Sequence, residues 1–326
     1  METVLITGAN GFIGSHLSCE LVKRGFLVYG VHRSQRSKNP EYNKYVEEGK
    51  IKVFLGDVSN FDTSVLPKVD YIYHIAGKVS VWGKKEEFLK INLGGTKNLL
   101  EYAKSCNVKC FTYLSSVAVY GFYGYKLIDE NGEKKPFNNP YSISKLETEN
   151  FVKEYGKNNN IPFVIIRPGN VYGEYDYTSS HEIYGRVKKE KMMISAGGKY
   201  ESCWVYVKNL VEAIIFTSQN QKAHNQDYNV ADGNTNLKDY LTKVANAYGV
   251  RPKFKNFPAP LAKLTACLVE GFYKLFRIKK APIITRFTVY QNCADYSFST
   301  KKLEDVGYKK IYDEDEAIKR TAEYFN

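Results

Sequence analysis

The chain has 326 residues, a formal net charge of +12 and a hydrophobic content of 43%. This length allows a large core in one or two closely packed domains. The six cysteines form no CxxC pair, which favours free thiols in a reducing compartment and argues against a disulfide framework or a metal site. The lysines are scattered and no nucleic-acid-binding motif accompanies them, so nucleic acid is not an expected partner.

The N-terminus and the hydropathy of the chain bear on its location. The first predicted strand begins almost at Met1, which leaves no room for a signal peptide. No apolar run reaches the about 18 residues of a membrane-spanning helix. The sequence therefore predicts a cytoplasmic protein.

The stretch TVLITGANGFIGSHL at residues 3–17 has the pattern of a strand, a tight turn and a helix. Gly8 turns the chain, Gly11 lets backbone N–H groups approach a pyrophosphate, and Gly14 lets the helix lie against the strand. The helix N-terminus then faces the phosphates. This predicts a dinucleotide site, although the glycine spacing alone also fits a turn that binds nothing.

A second predicted strand, 27–32, ends at Arg33. At this place an acidic residue binds the ribose 2′-OH, whereas an arginine accommodates a 2′-phosphate. Arg36 and Lys38 follow, and the first acidic residue is Glu41. The sequence predicts NADP(H) as the preferred cofactor, with NAD(H) possible; the alternative is a solvated loop arginine.

Further strands are predicted at 51–55, 69–77 and 109–114, with a long helix over 82–104. Repeated β-α-β units with apolar strands are typical of a parallel, doubly wound sheet. Ligands bind such sheets beyond the carboxyl ends of the strands. The chain is therefore predicted to be an α/β protein with its site at that edge.

The predicted catalytic residues follow the strand at 109–114. Ser115 and Ser116 close that strand, and Tyr141 and Lys145 lie four residues apart on a later helix, hence on one face. An ammonium beside a phenol lowers the phenol's pKa from about 10 toward the working pH, and a serine can hydrogen-bond the reacting oxygen. A second YxxxK pair, Tyr184 and Lys188, has no such serine and is predicted to lie on an exposed helix face.

Several motifs in this order resemble those of the extended short-chain dehydrogenase/reductases. They are TGANGFIG at 7–14, DV at 57–58, HIAG at 74–77, NLGGT at 92–96, SSVAVYG at 115–121, YSISK at 141–145 and RPGNVYG at 167–173. The resemblance implies a Rossmann domain at 1–168, to which 204–231 return, and a smaller, interleaved C-terminal substrate domain at 169–326. It also implies a homodimer.

The resemblance assigns roles to individual residues. Ser116, rather than Ser115, is implied to be catalytic together with Tyr141 and Lys145, and Asn92 is implied to support the site. The implied cofactor-binding residues are Gly8, Asn10, Gly11, Phe12, Ile13, Gly14, Arg33, Asp57, Val58, Ala76, Gly77, Lys78, Tyr141, Lys145, Pro168, Gly169 and Val171. A solvated side chain is an equal alternative for Lys78. An acidic residue is usual in this family where Lys208 stands.

Two departures from family patterns bear on the substrate. Nucleotide-sugar dehydratases of the family carry an Asp-Glu pair where this chain has Val117 and Ala118, and many epimerases have an arginine that the stretch 290–295 lacks. The segment AGKVSVWG at 76–83 resembles that of members that reduce dihydroflavonols, steroids or alkyl ketones. The two departures argue against a nucleotide sugar, and the segment at 76–83 favours an apolar or amphipathic small-molecule substrate.

The stretch 258–280 has apolar residues at helical spacing with lysines and an arginine around them. Such a helix packs on the substrate domain, forms a lid or lies on a membrane surface. Packing or a lid is the favoured prediction, because Glu270 interrupts the positive charge and Thr265 lies within the apolar stripe.

The predicted function is that of an NADPH-dependent reductase that converts a ketone to a secondary alcohol, reversibly. An alternative is a nucleotide-sugar epimerase or 4-keto-reductase, in which Arg186, Arg251 or Arg286 would bind the diphosphate. A non-catalytic NADP(H)-binding protein is a further alternative, against which the complete set of Ser116, Tyr141 and Lys145 argues.

Overall fold

Strands and helices alternate along the chain, and the computed structural model describes residues 1–326. The strands are β1 (Thr3–Thr7), β2 (Leu27–His32), β3 (Ile51–Leu55), β4 (Tyr71–His74), β5 (Cys110–Leu114), β6 (Tyr125–Ile128), β7 (Phe163–Pro168), β8 (Asn170–Tyr172), β9 (Met192–Ser195), β10 (Glu201–Tyr206), β11 (Gln226–Val230), β12 (Gly233–Asn236), β13 (Phe254–Phe257) and β14 (Tyr296–Phe298). The helices are α1 (Phe12–Lys23), α2 (Pro40–Glu47), α3 (Lys85–Phe88), α4 (Gly95–Cys106), α5 (Pro140–Asn158), α6 (Ser180–Lys188), α7 (Val207–Gln219), α8 (Leu237–Ala247), α9 (Ala259–Leu275), α10 (Arg286–Asn292), α11 (Lys301–Asp305) and α12 (Glu314–Tyr324).

Seven of these strands form one sheet in the order β11-β7-β5-β4-β1-β2-β3, and every pairing within it is parallel. Two hydrophobic clusters, of 26 and 18 buried residues, draw on its strands and on the helices packed against them. Strands covered on both faces are mostly apolar, as in β5, where all five residues are buried and Thr112 is the one polar residue. The predicted α/β Rossmann fold is confirmed, and the strand order changes direction between β1 and β4, where ligands bind in such sheets.

A second sheet, of five strands, has the order β12-β10-β14-β6, with β8 paired to β10. Its strand β6 pairs with β14 in an irregular register, so no strand is predicted there from the sequence. Strand β10 belongs to this sheet, whereas helix α7 and strand β11, which follow it, pack on or join the first sheet. The domain boundaries themselves stay a prediction.

The long helix predicted over 82–104 begins later and is not uniform. It consists of α3, a π-helical turn at Leu89–Gly94, and α4. Such turns insert an extra residue and are frequent at functional sites. The π turn contains Asn92, whose side chain is described below.

Two further findings concern cysteines and membranes. All six cysteines are free. None of the helices combines the length and the apolarity that crossing a bilayer requires. Helix α9, which follows the amphipathic pattern at 258–280, is 17 residues long.

Candidate active site

A cleft of about 770 Å³ opens at the carboxyl ends of β1, β2, β4 and β5. Every residue predicted to act in catalysis or to bind the cofactor lines it: Gly8, Asn10, Gly11, Phe12, Ile13, Gly14, Arg33, Asp57, Val58, Ala76, Gly77, Lys78, Ser116, Tyr141, Lys145, Pro168, Gly169 and Val171. The fold thus brings together residues that lie far apart in the sequence, from Gly8 to Val171, and their individual roles stay predictions.

The turn after β1 has the backbone geometry of a phosphate cradle. Gly8 has a φ of +68°, and a Cβ on Gly14 would lie 2.1 Å from the Gly8 carbonyl oxygen. Helix α1 starts behind Gly11 with no side chain capping its first N–H groups. These uncapped donors face the cleft and suit a pyrophosphate, so the residues present fit a dinucleotide.

The end of β2 carries a positive charge toward the cleft. The Arg33 side chain is 76% exposed, and its Nη1 lies 3.6 Å from Oδ2 of Asp57. Hydrogen bonds from the Ser59 backbone and hydroxyl, and then Arg33, keep the pKa of Asp57 below its usual value. The side-chain amide of Asn10 donates to the hydroxyl of Ser34, the residue after Arg33, at 2.7 Å. No carboxylate stands at the end of β2 itself.

The chain after β4 is held by the π turn. Asn92 is buried; its Oδ1 accepts the Lys78 N–H at 2.6 Å, and its Nδ2 donates to the Ser144 hydroxyl at 2.9 Å. A Cβ on Gly77 would lie 3.1 Å from that same Oδ1. The Lys78 ammonium donates to Glu87 at 2.6 Å, so it is engaged within the chain. Asn92 therefore supports the cleft wall, as the resemblance implies.

The three predicted catalytic side chains meet at the inner end of the cleft. The Ser116 hydroxyl caps the turn after β5 by accepting the Ala118 N–H at 3.1 Å. Tyr141 is the second residue of α5, after Pro140, and the Lys145 ammonium one turn later lies 6.0 Å from the Tyr141 ring centroid. This ammonium donates to the Leu114 carbonyl at 2.6 Å, which ties α5 to the end of β5.

The electrostatics of this trio differ from the sequence expectation. Burial raises the pKa of Tyr141, and a hydrogen bond with Ser116 opposes that rise. Burial lowers the pKa of Lys145 to about 8, although the negative charge of the nearby Glu149 acts to raise it. The expected lowering of the tyrosine pKa is therefore absent, because desolvation outweighs the hydrogen bond with Ser116 and the Lys145 ammonium donates to the Leu114 carbonyl. Tyr141 is protonated at neutral pH and can donate its proton.

A buried ion-pair network lies directly behind the trio. Arg167 on β7 is fully buried and donates to both carboxylate oxygens of Glu149, at 2.9 and 2.7 Å. The Ser115 hydroxyl donates to the same carboxylate, and the Tyr120 hydroxyl accepts from Arg167 at 2.8 Å. The network joins the ends of β5 and β7 to α5. The Ser115 hydroxyl is thus engaged in this network, although the residue lines the cleft together with Ser116.

The second YxxxK pair has a structural role. Tyr184 is fully buried, with its hydroxyl 3.3 Å from that of Tyr240, so the predicted exposed face is wrong for this residue. Lys188 is exposed and donates to Asn326 at the C-terminus. Tyr184 is buried because helix α6 packs against α8, a contact that a local motif does not reveal.

Lys208, where the family usually has an acidic residue, takes part in an ion pair. Its ammonium lies 2.9 Å from Glu174, whose carboxylate also accepts from the Tyr206 hydroxyl at 2.8 Å. The Glu174 carbonyl in turn contacts the ring of His16 on α1 at 2.9 Å. The lysine therefore helps to join the loop after β8 to α7 and α1.

The sequence reasoning missed one wall of the cleft. Asp176, Thr178 and Ser179 line it, and the Asp176 carboxylate accepts from the Thr178 N–H at 3.0 Å and the Ser179 hydroxyl at 2.6 Å. The available signal was an aspartate followed by a Thr-Ser-Ser run directly before a helix, which is typical of a helix start.

The fold and this cleft define an α/β enzyme that binds a nicotinamide dinucleotide. The profile of the NAD dependent epimerase/dehydratase family matches residues 4–231. The chain belongs to this family, and it is an NAD(P)-dependent enzyme of the extended short-chain dehydrogenase/reductase type.

Relatives in the family have diverse activities. The chain is 27% identical to the N-acetyl-α-D-glucosaminyl-diphospho-ditrans,octacis-undecaprenol 4-epimerase of Escherichia coli O157:H7, over 99% of this chain and 95% of that protein. It is 26% identical to the 3β-hydroxysteroid dehydrogenase/Δ5→4-isomerase of Mycobacterium tuberculosis, over 99% and 90%. The UDP-glucose 4-epimerase structure from Thermotoga maritima superposes with a TM-score of 0.79 at 21% identity, covering 99% of this chain and 98% of that one. That structural similarity concerns the fold alone.

Proposed function

We propose that the protein is an NADP(H)-dependent reductase, reversibly a dehydrogenase, that interconverts a ketone and a secondary alcohol on an apolar or amphipathic molecule. The observation that supports this most is the meeting of Ser116, Tyr141 and Lys145 at the inner end of a cleft that begins at a phosphate-binding turn. The cleft residues named above would hold a nicotinamide dinucleotide, which would supply the hydride for the substrate carbon in reduction and accept it in the reverse direction. Tyr141 donates the proton to the carbonyl oxygen, and Ser116 orients that oxygen by a hydrogen bond.

Arg33 supports NADP(H) as the preferred cofactor. Its side chain lines the cleft, and the end of β2 lacks the carboxylate that would bind a ribose 2′-OH. We expect Arg33→Asp to lower kcat/KM for NADPH by about 10- to 100-fold and to leave that for NADH nearly unchanged or higher. Arg36→Asp, three residues on and outside the cleft lining, is the control and should change the ratio much less. An unchanged ratio in Arg33→Asp would rule out the 2′-phosphate contact.

The loop after β4 supports an apolar substrate. Its segment AGKVSVWG at 76–83 resembles that of members that reduce dihydroflavonols, steroids or alkyl ketones, and Val79 and Ser80 of this segment line the cleft. The aromatic cluster of Phe122, Phe137 and Phe287, on which the Tyr141 ring packs, is buried and lies outside the cleft lining, so it positions Tyr141. The steroid dehydrogenase among the relatives points in the same direction.

A second candidate function is the epimerisation of a diphosphate-linked sugar. The buried Nε of Arg286 has no hydrogen-bond partner, and its guanidinium lies 6.0 Å from the Phe137 ring centroid, so it is available to an anionic group. Arg186 is instead paired with Glu182, and Arg251 is exposed. The undecaprenol-linked sugar epimerase among the relatives supports this candidate.

One assay distinguishes the two functions. The purified protein is given NADPH with steroid and 2-alkyl-3-oxo-acid ketones, or NAD and NADP with a UDP-sugar and a polyprenyl-diphosphate sugar. Net oxidation of NADPH with a ketone is expected. Interconversion of sugar epimers without net cofactor turnover would overturn the proposal in favour of the second candidate.

A further inference from the structure

Helix α9 is packed with its small residues inward and its large ones outward. Ala262 and Ala266 are fully buried and contact Val289 and Cys293 on and beside α10. The large apolar side chains of the helix face solvent. Their exposed fractions are 49% for Leu261, 56% for Leu264, 65% for Leu268, 54% for Phe272, 76% for Leu275 and 60% for Phe276. The stripe predicted to pack on the substrate domain is therefore exposed, and none of its residues lines the cleft.

These six residues, which we call the α9 apolar face, form one continuous stripe. They recur every three or four positions, so at about 100° per residue they fall within about 120° of the helix surface. Ile283, just past the helix, is 98% exposed. Monomeric proteins rarely expose a continuous apolar surface of more than a few hundred Å², and larger ones mark interaction sites.

The charged residues of α9 and of the loop after it are positive except for Glu270, and Glu87 from the segment after β4 lies within electrostatic reach of Lys279. Lys274, Arg277, Lys279 and Lys280 are exposed at its C-terminal end. Between Asp239 and Asp295 the sequence contains one acidic residue, Glu270.

Glu270 is turned away from the surface. Its side chain is only 12% exposed, and Oε1 accepts the backbone N–H of Arg286 at 2.6 Å. The carboxylate therefore secures the start of α10 and does not interrupt the positive rim, in contrast to the sequence expectation.

We infer that the α9 apolar face docks on an anionic lipid bilayer. Apolar side chains that enter the acyl boundary, with lysines and arginines at the headgroup level, are the features of helices that lie in a membrane interface. A second copy of the chain fits less well, because pairing the same face would bring two basic rims together. The inference goes beyond the proposed function, since binding to a bilayer requires no turnover.

The same helix is connected to the mouth of the cleft. Trp82 Nε1 donates to the Ile278 carbonyl at 3.1 Å, and the Trp82 ring packs edge-on against Tyr273. Val79 and Ser80, in the same loop as Trp82, line the cleft. A docked α9 therefore places the mouth of the cleft next to the bilayer, where an amphipathic substrate would concentrate.

Vesicle co-sedimentation of the full chain tests the docking. We expect binding to phosphatidylcholine vesicles that contain phosphatidylserine, weaker binding to pure phosphatidylcholine, and a loss of binding as salt is raised. Leu268→Gln with Phe272→Gln should weaken binding at least tenfold. Its matched control is Leu127→Gln with Ile311→Gln, which replaces two equally exposed apolar residues elsewhere and should bind as the wild type does.

A second pair of variants tests the basic rim, that is, Lys274, Arg277, Lys279 and Lys280. Lys279→Glu with Lys280→Glu should weaken binding at least 25-fold, at about fivefold per charge, whereas Lys189→Glu with Lys191→Glu, equally exposed on another surface, should have little effect. Each variant must keep the wild-type thermal unfolding midpoint.

Three outcomes would overturn the inference. The first is a wild-type chain that does not bind anionic vesicles. The second is α9 variants that bind as tightly as the wild type. The third is a wild-type chain that associates with itself through the α9 apolar face in light scattering and does not bind vesicles. All three are independent of whether any ketone is reduced.

Discussion

Tyr141 is the residue on which the proposed chemistry depends most. We expect Tyr141→Phe to lower kcat by about 10²- to 10⁴-fold, because the variant has no proton to donate, and to leave cofactor affinity within about twofold. Steady-state kinetics and cofactor titration measure the two effects. Tyr184→Phe is the matched control from the second YxxxK pair and should keep its activity. Full turnover in Tyr141→Phe would exclude it as the acid.

Lys145 predicts a pH dependence of the same reaction. Because its pKa is lowered to about 8, its ammonium is present below that pH and is lost as the pH rises through it. Tyr141 stays protonated in this range, since burial raises its pKa. We expect the rate of ketone reduction to fall as the pH rises through about 8, and Lys145→Arg to move that fall to higher pH. A profile that is flat from pH 6 to 10 would show that the charge of Lys145 does not assist proton transfer from Tyr141.

Among the structural elements, β7 and α5 are joined by the buried pair of Arg167 and Glu149. Removing one partner of a buried ion pair leaves the other charge uncompensated, which costs about 3–5 kcal/mol. We expect Glu149→Gln to lower the free energy of unfolding by that order, measured by denaturant titration. The control is Glu182→Gln, which breaks the exposed pair with Arg186 and should cost less than about 1 kcal/mol. If Glu149→Gln lowered the free energy of unfolding as little as Glu182→Gln does, Asp227, which lies 2.5 Å from the Arg167 guanidinium, would be sufficient to compensate Arg167.

The first sheet and the cleft are the parts of the structure that the sequence predicts best. Strands β2 and β3 have the predicted bounds, because each is a short, mostly apolar run with turn residues at both ends, although β3 lies at the edge of the sheet and is only partly buried. The cleft residues follow from local motifs placed at strand ends. Each of these features is encoded within a few neighbouring residues.

What the sequence could not predict depends on contacts between distant segments. The β6 pairing, the burial of Tyr184 and the inward turn of Glu270 are each decided by a partner element far along the chain. The π turn at Leu89–Gly94 has no sequence signature of its own. For α9, helical periodicity located the apolar stripe correctly but could not show which face the protein covers.

In the whole molecule, the two sheets meet where β10 leads into α7, and Asp232 lies at that junction. Its carboxylate accepts the Tyr206 N–H at 2.6 Å, and burial raises its pKa from 3.8 to about 6. At pH values between these two pKa values, Asp232 binds more protons in the folded state than in the unfolded state. The contribution of Asp232 to stability therefore decreases as the pH rises from about 4 to 6, by up to about 3 kcal/mol.

Asp232→Asn should remove this dependence, because an amide carries no charge at any of these pH values and can still accept the Tyr206 N–H. We expect the variant to gain stability relative to the wild type as the pH rises from 4 to 7, in denaturant titrations at each pH. Asp305→Asn, an exposed carboxylate paired with Lys301, is the control and should show a nearly constant difference. A constant difference in Asp232→Asn as well would mean that the carboxylate is solvated in the folded protein, and that the junction between the sheets is more open than the structure has it.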